Sequence, residues 1–229
     1  MSDANSIYAL MKEAHQSPAQ SDAKMFGVEV ALVTSNKDEQ KLGRVKVCFP
    51  RLPGKPESDW IRIAQPSAGP DRGFYWIPEV NDEVLVAFER GETNRAYVIG
   101  SLWNGKDKPM KEAPREDNSL RMIRTKSGHT IALDDKKGEE QIVIADQSGK
   151  RRMTFDVKGK KFVLQCDVGD VEIQAPNGKV SITCKEFELK TEKTAKLDVG
   201  TDLEMTAKEK ANFKAGPQLN IKSSRVNIN

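Results

Sequence analysis

The 229-residue chain is 37% hydrophobic and 31% charged, carries a formal charge of +3, and has no run near the ~18 apolar residues of a spanning helix. That balance excludes a helical membrane protein and a fully disordered chain. Residues 1–150 net −1 and the rest +4, and three scattered cysteines accompany only two histidines. A strongly basic nucleic-acid surface, a disulfide framework and a metal knuckle are therefore not expected.

Residues 1–23 are polar and broken by Pro18, with Ile7, Leu10, Met11 and Ala14 at helical spacing. A docking arm and a frayed tail both fit. No basic-then-apolar leader opens the sequence, so synthesis and assembly in the cytoplasm are expected.

Residues 24–104 read as short strands. Val28, Val30 and Leu32 alternate, as do Val45, Val47 and Phe49 before Pro50. Residues 60–63 form another short strand. The continuous run Val84-Leu85-Val86-Ala87-Phe88 suggests a strand buried on both faces. Tyr97-Val98-Ile99 follows a polar loop. Five short strands with Pro/Gly loops predict a small barrel or sandwich. Residues 105–118 are a charged connector, and residues 119–170 are transition strands.

The final segment, 171–229, carries an octad. Every eighth residue from Leu189 is large and apolar: Leu189, Leu197, Met205, Phe213, Ile221. Two residues earlier stand Phe187, Ala195, Leu203, Ala211 and Leu219; two later come Thr191, Val199, Ala207, Ala215 and Ser223. Period two marks a strand with one buried face, and period eight marks a strand and a turn, repeated. Such a ribbon cannot bury its face or pair its edges alone. Sister chains wound about a common axis would do both, with Phe187, Leu189, Leu197, Val199, Leu203, Met205, Phe213, Leu219 and Ile221 as the shared core. Periodicity alone does not fix the number of chains. A helix is the alternative, through Leu203, Ala207, Ala211 and Ala215, but it leaves Met205 and Phe213 off the stripe.

The blocks Gly43–Pro50 (GRVKVCFP), Asp59–Pro66 (DWIRIAQP), Gly73–Phe88 (GFYWIPEVNDEVLVAF) and Val98–Ser101 (VIGS) resemble the OB-fold of phage baseplate assembly protein V and VgrG-type spikes. Lys126–Asp135 (KSGHTIALDD) is similar to the passage from OB-fold to β-helix in those proteins. Asn81 stands where that family usually has Gly; Asn tolerates a left-handed backbone. The VgrG hub domain, a lysozyme-like insert and an apical His-x-His are all lacking.

The resemblance implies an all-β chain: a five-stranded OB-fold barrel, then an intertwined trimeric β-helix. It implies a non-enzymatic, cofactor-free homotrimeric spike of a phage tail or tail-like particle. Its expected partners are hub, baseplate and tube proteins and a PAAR-like tip protein held by Val226, Asn227, Ile228 and Asn229. Nucleic acid is not an expected partner, and a target membrane is met only on firing. An OB-fold oligonucleotide- or glycan-binding module on a trimeric stalk is the alternative; a depolymerase lacks the wide acidic groove it needs.

Chemical motifs are weak. Residues 100–107 nearly spell a phosphate-binding loop, but Asp107 occupies the Ser/Thr position. Ser127, His129 and Asp134-Asp135 lie close in sequence, as do Glu79, Asp82 and Glu83. Phe74-Tyr75-Trp76 with Arg62 and Arg72 could stack bases, though core or inter-subunit packing is favoured. Cys184 reads as a small hydrophobe beside Val180 and Ile182.

Overall fold

A computed structural model describes residues 24–227. The arm at 1–23, with His15, and the terminal Ile228 and Asn229 lie outside the described residues. The chain divides after Val171 into two units.

The first unit opens with seven strands: β1 (Val28–Ser35), β2 (Lys46–Cys48), β3 (Arg62–Ile63), β4 (Ala68–Gly69), β5 (Arg72–Gly73), β6 (Glu83–Phe88) and β7 (Ala96–Leu102). Five of them form one sheet in the order β2-β1-β6-β7-β3, antiparallel except for the parallel pair β3–β7. The sheet closes on itself beside β2 and β3. There Val45 N–H donates to Ile61 O at 3.0 Å, and Ile61 N–H donates back at 2.9 Å. Closure removes the free edges that an open five-stranded sheet would leave.

The barrel interior is Val-rich: Val33, Val45, Val47, Val84, Val86 and Val98 are completely enclosed, and the buried rings of Phe49 and Phe88 sit tilted 5.8 Å apart. Two readings of the sequence change here. In β1 the buried face is Ala31 and Val33, whereas Val28 is exposed. In β6 the burial alternates, so Leu85 and Ala87 face the barrel exterior. Apolar runs hide period two when both faces carry aliphatic residues. At Leu85/Val86 the register with β7 slips by one, and the extra residue, Ile99, is turned outward.

Asn81 has φ 77°, the left-handed turn expected of it, and its N–H reaches Val33 O at 2.8 Å. The small β4–β5 hairpin needs Gly73: a Cβ there would lie 2.6 Å from Ser67 O.

A second sheet follows: β8 (Leu120–Arg124), β9 (Thr130–Asp134), β10 (Gln141–Ala145), β11 (Arg151–Asp156) and β12 (Lys161–Cys166). It is an antiparallel meander in chain order. The connector before it is anchored. Arg115 Nη1 donates to Asp134 Oδ1 at 2.8 Å, and Arg124 pairs with Glu112.

The second unit, Glu172–Asn229, holds neither helix nor paired strand over 172–227, and every side chain there is exposed. The helical alternative is not realised. Instead the chain bends at 176–178, 185, 192–193, 200–201, 208–209, 216–217 and 224. From 185 to 224 the bends recur every eight residues, whereas the apolar pattern slips by one at Val226.

Candidate assembly surfaces

Cross-strand pairing in the second sheet lines up two apolar rows. One runs Ile123, Ile131, Ile144, Met153, Leu164 across all five strands. The other joins Leu133, Ile142, Phe155 and Phe162, with the two phenyl rings 4.9 Å apart. Directly opposed residues share a face, so both rows lie on one side. Between them, on the other side, stand the smaller Ala132, Val143 and Thr154. Ile131, Ile144 and Leu164 remain 43%, 45% and 56% exposed. An open cleft of about 650 Å³ over this face is lined by Ile123, Ile131, Ile144, Met153 and Leu164, with Trp76 of the first sheet's loops at its margin. The sequence reading of 119–170 as transition strands did not single out these rows. The signal was present as period two in Ile142-Ile144, Met153-Phe155 and Phe162-Leu164.

Ion pairs brace the ends of this sheet. Arg115 holds the Asp134 carboxyl below its usual range, Arg124 does the same for Glu112, and for Asp146 the Ser148 hydroxyl leads, followed by Arg151. Lys126, in the β8–β9 turn, meets Glu79 at 2.9 Å and links the two sheets.

In the second unit the side-chain pairs reveal two faces. Gln174 reaches Glu172, Lys190 reaches Glu188, Lys196 reaches Asp198 and Gln218 reaches Asn220. All are two residues apart. Neighbours at that spacing share a side of an extended chain and do not face each other on a helix. The apolar positions are the alternate ones, on the opposite side. All nine residues of the expected trimer core, Phe187, Leu189, Leu197, Val199, Leu203, Met205, Phe213, Leu219 and Ile221, are exposed in the single chain; Met205 reaches 72%. Val226 and Asn227, expected at the tip, are exposed too. Cys184 is also exposed.

The chemical motifs do not assemble. Asn104 Oδ1 accepts the N–H groups of Lys106 and Asp107, giving a turn where a phosphate loop needs a helix. Ser127 Oγ lies 3.3 Å from Thr125 Oγ1, and Asp134 is engaged by Arg115, so no triad forms around His129. Glu79, Asp82 and Glu83 have separate partners in Lys126, the Glu79 N–H and Asn104. Among the described residues, no group of three His, Cys, Asp or Glu side chains is arranged to hold a metal ion.

The aromatic trio is not in the core. Phe74 stacks on Trp76 at 6.1 Å, and Tyr75 is 82% exposed. Arg62 lies instead over Tyr97, whose hydroxyl it meets at 2.8 Å; that hydroxyl donates to Glu89 at 2.7 Å and holds its carboxyl below the usual range.

Comparison with known proteins agrees with this architecture. Residues 29–103 match the type VI secretion system/phage-baseplate injector OB domain. The chain is 32% identical over 133 residues to the type VI secretion system spike protein VgrG1a of Pseudomonas aeruginosa, covering 52% of this chain and 21% of that protein. It is 28% identical over 134 residues to spike protein VgrG3 of Vibrio cholerae, covering 53% and 13%. With the actin cross-linking toxin VgrG1 of Vibrio cholerae it shares 29% identity over 114 residues, covering 46% and 10%. The chain thus spans about a fifth or less of the length of these curated relatives. Residues 29–103 form an injector-type OB domain, the described residues are all-β, and 46–53% of the chain is similar to these VgrG proteins.

Proposed function

We propose that the chain is a structural, non-catalytic component: the homotrimeric central spike of a contractile injection machine. One observation carries the reading. The octad chain is two-faced and bends every eight residues from 185 to 217, yet leaves its whole apolar face exposed. Each large apolar side chain so left forgoes roughly 1.5–3 kcal/mol of burial. Three copies wound together would enclose that face and pair the strand edges of each copy with its neighbours. The result is a stiff shaft, suited to being driven through an envelope.

In this reading the OB barrel seats on hub, baseplate and tube proteins, and a PAAR-type protein caps the end at residues 226–229. Assembly takes place in the cytoplasm, and the finished spike resides in a phage tail or tail-like particle. Sedimentation of the full chain tests the proposal. An elongated species of three times the monomer mass, persisting in detergent, is the expected result; a compact monomer overturns it.

The exposed Phe74–Trp76 stack favours one second reading, a barrel that binds single-stranded oligonucleotides. Tight, steeply salt-dependent binding of single-stranded DNA by the barrel, lost on replacing Trp76, would support that role.

A further inference from the structure

The tripeptide Asn-Gly-Lys occurs twice, as Asn104-Gly105-Lys106 and as Asn177-Gly178-Lys179, and the fold places the two copies in opposite settings. Asn104 is half-buried and its carboxamide is engaged at both ends. Its Oδ1 accepts the N–H groups of Lys106 at 2.8 Å and Asp107 at 2.7 Å, and its Nδ2 donates to Glu83 Oε2 at 3.2 Å. Asn177 is exposed, in a β-turn that begins with Pro176 at its first central position. The Gly178 N–H closes that turn onto Ala175 O at 3.1 Å. Among the described residues, nothing bonds to the Asn177 carboxamide. The space around Gly178 is open too: a Cβ there would meet only the Ala175 Cβ, at 3.9 Å.

We propose that Asn177 is a site of spontaneous deamidation and isoaspartate formation, and that the fold protects Asn104 from the same reaction. The Gly178 amide nitrogen gives up its proton to solvent base and bonds to Asn177 Cγ. The carboxamide nitrogen leaves as ammonia, and a succinimide ring remains. One water opens the ring at either carbonyl. One opening leaves aspartate; the other routes the main chain through the side chain and leaves isoaspartate. Glycine in the following position permits the attack, because no Cβ crowds the nitrogen or restricts its backbone. Both sites meet that requirement, so the difference lies in tertiary structure. Asn104 must release three hydrogen bonds before its Cγ can swing onto Gly105, each slowing the reaction by a factor of about five, whereas the Asn177 turn has one such bond to give up. Each event also turns a neutral carboxamide into a carboxylate, and the isoaspartyl product lengthens the main chain by one carbon between Ala175 and Val180. The inference goes beyond the spike reading and stands without it.

The test is peptide mapping by mass spectrometry after incubating the full chain in warm, mildly alkaline buffer. Isoaspartate is read in parallel as methyl transfer from S-adenosylmethionine by an isoaspartyl methyltransferase. The peptide holding Asn177 should gain one mass unit and accept methyl groups, at least about tenfold faster than the peptide holding Asn104. In concentrated urea the two sites should react at similar rates, since the tripeptides are identical. Gly178→Ala should slow the reaction at residue 177 by at least about fivefold, and Asn177→Gln should remove most methyl acceptance by the chain. Glu83→Gln, which keeps the shape but weakens the bond to Nδ2, should speed the reaction at Asn104. Equal rates at the two sites in the folded chain, or a faster Asn104, would overturn the proposal. So would an Asn177 that reacts in urea and is silent in the folded chain, because its turn would then be covered in the assembly.

Discussion

Arg44 grips Asp38 with two parallel bonds, Nε to Oδ2 at 2.9 Å and Nη2 to Oδ1 at 2.8 Å. The same carboxylate accepts the N–H groups of Gln40 and Leu42, so one side chain organises the whole β1–β2 connection. Arg44 holds the Asp38 carboxyl far below its usual range. A carboxyl depressed in the folded state contributes stability above its unfolded pKa, and that contribution is lost as pH falls toward the folded value. Barrel Tm should therefore hold from neutrality to about pH 5 and decline below it. Asp38→Asn should lower the neutral-pH Tm by a few degrees and flatten the acid decline, measured by circular dichroism melts across pH. An unchanged acid profile would remove Asp38 as its source.

Val86 is wholly enclosed between β1 and β7. Val86→Ala deletes two buried carbons and leaves a cavity, at a cost of about 2 kcal/mol. The neighbouring Leu85 faces outward, so Leu85→Ala should cost well under half as much. Urea titration of both variants checks the assigned face of β6. Equal losses would mean that the strand is buried on both sides.

The Asn81 backbone is left-handed. Asn81→Gly should be near neutral, while Asn81→Val should cost roughly 1–2 kcal/mol because a branched side chain clashes at positive φ. Thermal melts of the two variants give the difference. Matching values would show that the turn relaxes without strain.

In the octad chain, neighbouring residues should behave oppositely. Leu197→Asp places a charge on the apolar face and should shift the sedimenting species from trimer to monomer at micromolar protein. Lys196→Asp, one residue away on the polar face, should leave the mass unchanged. Dissociation by both variants, or by neither, would contradict the two-faced ribbon.

Ile144 stands in the centre of the longer apolar row of the second sheet. Ile144→Asp should weaken assembly while the circular dichroism of the isolated chain keeps its strand signal. Val143→Asp, on the side of Ala132 and Thr154, should have the smaller effect on assembly. The comparison is read from sedimentation at falling protein concentration.

Much of the barrel was legible because its strands announce themselves locally: Val45, Val47 and Phe49 alternate, and all three are buried. The octad was equally legible, since one face and one bend recur every eight residues whatever surrounds them. What the sequence by itself determined is therefore the repeating two-faced ribbon and the order of short strands. Only the tertiary structure decided which face of β1 turns inward, because Val28, Val30 and Leu32 are as apolar as Ala31 and Val33. It alone brought Val45 against Ile61, sixteen residues on, to close the barrel. It also set Ile123, Ile131, Ile144, Met153 and Leu164 side by side. Those rows depend on strand register, which is fixed by pairing between distant segments and leaves no mark on any one of them.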